Sequence, residues 1–222
     1  GGNAIPAEYG PYFAGLQDLL GTHRGHDPGA LPFAQELSSA LRAPLVASTT
    51  SRLLVDLNRS VGHRRLFHES IARAPRALRT EIVAKHHRPY RERVERLVAD
   101  AIARGHRVVH VSSHSFTPVL DGRTRDADVG MLHDPSRAPE LERCLRWRSA
   151  LLDLSPGLRV RRNYPYRGSG DGLTSHLRKL HGANSYLGIE LEINQAIVSG
   201  PSAEWYTLRG ALVASFQTSS RE

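Results

Sequence analysis

The sequence predicts an α/β protein, a three-layer αβα sandwich around a mixed, mainly parallel β-sheet. Three observations predict it. Short apolar runs rich in β-branched residues alternate with longer amphipathic stretches, the pattern of strands that feed helices. One run ends in a histidine, and loops rich in Gly, Arg, His and Asp lie at 58–69, 115–126 and 163–171; in open α/β sheets ligands gather in loops at the carboxyl ends of strands. No repeat, low-complexity tract or linker-like run interrupts the 222 residues, so one domain over 1–222 is the economical reading.

In chain order, the first clear element is a helix over 28–41, followed by strand candidates at 44–48 and 52–57. The stretch 76–104 reads as a long helix that Pro89 should kink or restart and Gly105 should end. Strands over 107–112 and 127–132 come next, then a helix over 139–152, a strand over 158–162 and a helix over 172–180. The strand over 186–193 follows, and it and the strand over 107–112 are expected to be central to the sheet. A last helix, 201–217, carries Trp205, Leu208, Leu212, Val213 and Phe216 on one stripe, with Pro201 where a first helical turn accepts proline.

Composition narrows the function. At 40% hydrophobic and 23% charged, the chain is not a disordered tail. Its formal charge of +8 is almost all arginine, since Lys85 and Lys179 are the only lysines. Cys144 is the only cysteine, so an intramolecular disulfide or a cysteine-built zinc site is excluded and a reducing compartment is the simpler setting. Twelve histidines direct any metal chemistry toward His and carboxylate ligands. No apolar run approaches the roughly 18 to 20 residues that span a bilayer, and no charged start leads into an apolar signal segment. A cytoplasmic protein without membrane partners is expected. Gly1-Gly2-Asn3 carries neither an initiator Met nor a preceding strand, which suggests a start part-way into a motif.

Three constellations can carry chemistry. The run Val109-His110-Val111-Ser112-Ser113-His114-Ser115-Phe116 places the His114 imidazole at the mouth of the sheet, where it can reach a metal or substrate or simply bond a loop. His110 lies deeper on the same face and reads as a core or supporting histidine. In Asp56-Leu57-Asn58-Arg59, the Arg59 fork suits a substrate carboxylate and Asn58 can fix the same group or a developing oxyanion; in so arginine-rich a chain, a surface ion pair is the plain alternative. In Gly188-Ile189-Glu190-Leu191-Glu192-Ile193-Asn194-Gln195, alternation puts Glu190 and Glu192 on one face and the isoleucines and Leu191 on the other. Two carboxylates in mid-strand are costly unless they serve a metal, a cation or proton transfer, or unless the strand is a solvated edge.

Taken in order, these motifs resemble the N-formylglutamate amidohydrolase family, of zinc-carboxypeptidase-like fold. The resemblance continues through Gly1-Gly2-Asn3-Ala4-Ile5-Pro6, His23-Arg24-Gly25-His26-Asp27-Pro28-Gly29-Ala30, Arg88-Pro89-Tyr90-Arg91, Phe116-Thr117-Pro118 with Gly122 and Asp128, and Asn163-Tyr164-Pro165-Tyr166-Arg167-Gly168. It implies zinc-assisted hydrolysis of N-formyl-L-glutamate, or a related small anionic N-acyl amino acid, in amino-acid degradation. His114 then resembles a zinc ligand, Glu192 the general base, and Asn58 and Arg59 the grip on the substrate α-carboxylate. Arg167 would clamp the side-chain carboxylate. In the family a histidine directly before the Gly-Gly-Asn segment is a first zinc ligand. Asn3 stands where carboxypeptidase-like sites place a glutamate, so Asp27 is assigned as the carboxylate ligand, with His23 and His26 as alternatives. Asn3, Asp56, Ser115 and Glu190 adjoin these groups, and a partial, weakly retained zinc site is expected. The competing reading is a basic module that binds a polyanion without catalysis. Dispersed arginines, 6% aromatic residues and the absence of a nucleic-acid motif argue against it.

Overall fold

The structure is a computed structural model and describes residues 2–220. Its helices are α1 (Gln17–Leu20), α2 (Ala30–Leu41), α3 (Glu69–Ala72), α4 (Arg76–Ile82), α5 (Arg88–Ala103), α6 (Ala138–Leu154), α7 (Leu173–Leu180), α8 (Gln195–Val198) and α9 (Ser202–Thr218). The strands are β1 (Val108–Phe116), β2 (Val119–Leu120), β3 (Arg123–Thr124), β4 (Val129–Leu132), β5 (Val160–Arg162) and β6 (Tyr186–Asn194). β2 and β3 form a small hairpin, and the main sheet has the order β1-β6-β4-β5. β1 runs parallel to β6 and β4 to β5, while β4 and β6 are antiparallel. The sheet is therefore mixed and mainly parallel, as expected from the alternation of strands and helices.

Alternation along β6 divides the core. Ile189, Leu191 and Ile193 face one side and pack with Met131, Phe33 of α2, Trp147 and Leu151 of α6, and Leu212 and Phe216 of α9. Trp147 is fully buried there, and its indole N–H donates to the Leu212 carbonyl and Ser215 Oγ. Cys144 lies in the same cluster, where burial pushes its thiol up to about 12, so it serves as an inert apolar filler. On the opposite face Tyr186 packs with Val94 and Val98 of α5 and Leu173 and Leu177 of α7. Helices thus cover both faces of the sheet. That opposite face also carries Glu190 and Glu192.

Buried Arg178 of α7 ties the layers to the functional end. Its Nε donates to Glu140 Oε1 (3.0 Å) and its Nη2 to the Gly188 carbonyl (2.7 Å), while Nη1 holds the carbonyl of Gly168 (2.5 Å). The same Glu140 oxygen accepts the Gly188 N–H (2.9 Å). Helices α6 and α7, strand β6 and the 163–171 loop are joined by one fully bonded polar cluster, the condition under which buried charge is tolerated.

Three strand expectations are corrected: the strand over 107–112, expected at the centre, is β1 at the edge of the four-stranded sheet. Residues 52–57 form no strand but a turn at 52–54 and another that begins at 57, because Ser51 accepts the Leu54 N–H (3.0 Å) at its carbonyl and its hydroxyl donates to the Gly25 carbonyl (2.8 Å). Leu53, Leu54 and Val55 are all buried, packing with Tyr9, Ile71 and Ile82. A short continuous apolar run suits a buried turn as well as a strand, and periodicity cannot separate the two. Residues 44–48 form no ladder among the described residues. The long helix does restart near Pro89: a π-helical segment, Val83–His87, precedes α5, which accepts the proline in its first turn. Gly105 follows α5 with φ of 82°, in the left-handed region open to glycine.

Candidate active site

The site forms where β1 and β6 end together. Parallel pairing places His114 opposite Glu192 and Ser112 opposite Glu190, so all four side chains share the face away from the Ile189–Leu191 core. His114 is held at both ring nitrogens: Nε2 lies 3.0 Å from Ser112 Oγ and Nδ1 lies 3.4 Å from Asp27 Oδ2. Asp27 comes from the loop before α2 and is buried. Arg52 links it to the second constellation, with Nη1 donating to Asp27 Oδ1 (3.2 Å) and Nη2 to Asp56 Oδ2 (3.3 Å). Asp56 in turn accepts the Asn58 backbone N–H (3.0 Å), and Asn58 Oδ1 accepts the Leu173 N–H (2.8 Å). Thr174 Oγ1 donates to Glu190 Oε1 (2.5 Å). A Cβ at Gly172 would sit 3.1 Å from Asn58 Oδ1 and 3.3 Å from Glu190 Oε1, so this approach of the loop to the strand favours glycine.

Electrostatics separate the two buried carboxylates. Burial alone would raise the Asp27 carboxyl, but the Arg52 guanidinium and the His114 hydrogen bond hold it well below the usual carboxylate range. Burial pushes Glu192 up to about 8, with His114 opposing the rise and the charges of Asp27 and Glu190 reinforcing it. Burial works against the His114 cation, yet the hydrogen bond and charge of Asp27, with Glu192 and Glu190, raise its pKa. Glu192 Oε2 is buried with no hydrogen-bond partner among the described residues. His110 is different: Nδ1 meets the Tyr186 hydroxyl at 2.8 Å and burial pushes the ring down to about 4, a neutral supporting residue.

A consequence follows for stability in the metal-free protein. The folded Glu192 holds its proton to about pH 8 while the unfolded side chain releases it near 4.5. Between these values the folded state binds more protons, so this residue's contribution to stability falls as pH rises. Glu192→Gln removes that dependence. In chelator, the melting temperature of the variant relative to the parent should climb from pH 5 to pH 8 and level off above; parallel pH profiles for the two proteins would contradict the assignment.

The remaining predicted residues are placed as follows. Arg59 is half-buried; its Nη1 donates to the Asp171 carbonyl (2.5 Å) and its Nε lies 4.0 Å from Asp56 Oδ2. Its own carbonyl is gripped by His87 Nε2 (2.7 Å) and Arg91 Nη1 (2.9 Å). Ser115, next to His114 on β1, points to the other face and its Oγ accepts from Gln195 Nε2 (3.2 Å). Arg167 and Asn3 are exposed, and no hydrogen bond joins either side chain to these groups among the described residues. The expectation attached to Gly1 lies outside the described residues. Sequence reasoning missed Arg52, Ser112 and Thr174. The cation–carboxylate spacing of Arg52 and Asp56, four apart, was the available signal for the first.

The profile of the N-formylglutamate amidohydrolase family matches residues 1–199. The chain belongs to that family. A gene product of Agrobacterium tumefaciens of known crystal structure is 32% identical with a TM-score of 0.80, over 99% of this chain and 86% of that one. The N-formylglutamate amidohydrolase of Ralstonia eutropha JMP134 is 19% identical with a TM-score of 0.69, over 99% and 89%, and that likeness shows the shared fold. No curated protein matches the chain.

His114 and Asp27 are the residues here that could hold a zinc ion. His114 Nδ1 and Asp27 Oδ2, 3.4 Å apart, stand at about the separation of two donors on a tetrahedral zinc with bonds of about 2.0–2.1 Å. Ser112 on Nε2 fixes the ring in the way that outer partners orient ligating histidines. The nitrogen and oxygen donors suit this borderline cation. The pair therefore fits two corners of a zinc site. Among the described residues no group of three or more His, Cys, Asp or Glu gathers to hold a metal ion. No helix among them is long and apolar enough to cross a membrane.

Proposed function

We propose that this family member, as a single domain over 1–222 in the cytoplasm, hydrolyses N-formyl-L-glutamate or a related N-acyl amino acid to formate and the free amino acid, with His114 and Asp27 as two protein ligands of a zinc ion. The observation that carries this reading is Glu192: buried, with a pKa pushed up to about 8, across the ladder from His114, and with an unpartnered buried oxygen. A carboxylate with a pKa near the working pH both accepts and returns a proton. When bound, zinc would polarise the formyl oxygen and make a water more acidic.

The chain's own residues do the rest. Glu192 takes the proton from the attacking water and delivers it to the nitrogen of the breaking amide bond, so glutamate leaves as the amine and formate remains. Arg52 keeps Asp27 ionised and oriented, so that Oδ2 is aimed at His114. Asn58, its carbonyl oxygen already bonded to Leu173, presents its amide N–H donors, and Arg59 its guanidinium, to the substrate α-carboxylate. Arg167 is proposed for the second carboxylate, which it would reach from the 163–171 loop.

Two experiments test this reading. Formate release from N-formyl-L-glutamate by zinc-supplemented protein should be lost on adding a chelator and restored by zinc. Absence of hydrolysis of any N-acyl acidic amino acid by zinc-loaded protein, together with steeply salt-dependent binding of a polyanion, would favour the non-catalytic alternative. Secondly, Arg59→Ala should raise KM roughly 10- to 100-fold, because hydrogen bonds to charged groups contribute about 1.5–3 kcal/mol. Arg59→Lys should recover part of the loss, since a point charge cannot reproduce the fork. Unchanged KM in both variants would return Arg59 to the surface arginines.

A further inference from the structure

Residues 163–168 cross the site face of the sheet beside Glu192. Gly130 stands opposite Glu192 on β4, and a Cβ there would run into the Tyr164 carbonyl and come within 3.2 Å of Glu192 Cβ. The glycine leaves room for the loop to lie against the proposed base. Both ends of the loop are fixed from within. Asn163 Oδ1 accepts the backbone N–H groups of His133 (3.0 Å) and Gly168 (3.2 Å), and buried Arg178 holds the Gly168 carbonyl. Arg167 lies inside this loop, exposed.

The middle of the loop is held from outside, by the segment that closes the β2–β3 hairpin. The Asp126 backbone N–H donates to the Tyr164 hydroxyl (2.9 Å), and Arg125 Nη1 donates to the Tyr166 hydroxyl (3.0 Å). The Arg125 guanidinium also lies 5.0 Å from the centre of the Tyr166 ring and 6.0 Å from that of Phe116, within reach of the attraction between a cation and an aromatic face. Phe116 is fully buried and follows His114 on β1 by two residues. The Arg125 backbone is anchored as well, its N–H donating to the Pro118 carbonyl (2.8 Å) and its carbonyl accepting the Ala127 N–H (3.1 Å). One half-buried side chain thus joins the buried end of β1 to the residue next to Arg167.

We propose that Arg125 is a positioning residue for substrate specificity: by fixing Tyr166 it holds the backbone that presents Arg167, and so sets the preference for a substrate with a second carboxylate over one with a neutral side chain. The basis is entropic. A long exposed arginine grips a carboxylate only by giving up its own freedom, and a backbone that moved beneath it would add to that loss. With Gly168 held by Arg178 and Tyr166 by Arg125, the residue between them is fixed on both sides, and only its side chain remains to be ordered. No hydrogen bond joins the Arg125 side chain to Glu192, His114 or Asp27 among the described residues, so the clamp acts on affinity and not on the chemical step. The role rests on Arg167 as the grip on the second carboxylate, as assigned above.

The test compares N-formyl-L-glutamate with N-formyl-L-norvaline, which has no second carboxylate, by KM and kcat in zinc-supplemented protein and by Kd from calorimetry in chelator. Tyr166→Phe, which deletes only the hydroxyl, should raise KM and Kd for the glutamate compound roughly 3- to 10-fold. Arg125→Ala should raise them further, with kcat retained and the constants for the norvaline compound unmoved. Arg125→Lys should recover part of the loss. Arg125→Ala added to Arg167→Ala should cost nothing more. A loss shared by both compounds would show a general structural role, and full additivity with Arg167→Ala would show that Arg125 grips the carboxylate itself. An equal loss in Arg123→Ala, an exposed arginine of the same hairpin, would reduce the effect to net charge. Each of these overturns the proposal, as does Arg167→Ala without effect. If zinc-supplemented protein hydrolyses neither compound, the reaction assigned above fails and the Kd comparison decides alone: no preference for the glutamate compound in the parent, or a preference that Tyr166→Phe and Arg125→Ala both keep, means that the clamp does not set specificity.

Discussion

Glu192→Gln is expected to lower kcat by about two to four orders of magnitude with zinc content and substrate affinity retained. The amide has the shape of the protonated carboxyl, so packing against Gly130, opposite it on β4, is preserved. What it lacks is a basic oxygen to take the water's proton. Glu190→Gln, two residues earlier on the same face, should cost less, because Glu190 is occupied by Thr174 and stands opposite Ser112 rather than His114. Steady-state kinetics and metal analysis on the two variants check this. Equal, small effects would leave β6 with a structural role only.

His114→Ala should abolish zinc retention and activity together. Asp27 alone would then remain of the adjacent pair, and loss of one protein ligand removes most of a zinc site's affinity. The measurement is zinc content after gel filtration, read beside formate release. His110→Ala is the informative comparison, since it keeps the His114–Asp27 pair and removes the partner of the Tyr186 hydroxyl. It should lower the melting temperature by a few degrees, at a cost of about 1–3 kcal/mol for the unpaired hydroxyl, and leave zinc content unchanged. Full zinc retention in His114→Ala would exclude His114 as a ligand.

The particular elements show why parts of this site were readable in advance. Alternation in Gly188–Asn194 places Glu190 and Glu192 on one face whatever the rest of the fold does, because a strand's side chains repeat every two residues. The same rule separates His114 from Ser115. The apolar run Leu53-Leu54-Val55 carries no such period, and only its contacts with Tyr9 and Ile71 show that it turns. Residues 44–48 have a strand's composition, but a strand exists by virtue of its neighbour, and none pairs with them among the described residues. Arg52 was hidden by its surroundings in sequence, one arginine among many until the fold placed two carboxylates on it.

The sequence by itself determined the α/β class, the strands that end at the site, the residue types available for chemistry there, and the exclusion of cysteine ligands. These follow from local period and composition, which short-range sterics and the need to bury apolar surface impose on any fold the chain adopts. Tertiary structure alone decided the register that sets His114 against Glu192, and the meeting of Asp27 with His114 across 87 positions of sequence. It also decided how each acid behaves. Asp27 and Glu192 are both buried carboxylates, yet the first is held ionised by Arg52 and the second keeps its proton to about pH 8. The free energy of a buried charge depends on every dipole and charge packed around it, and those neighbours come from distant parts of the chain.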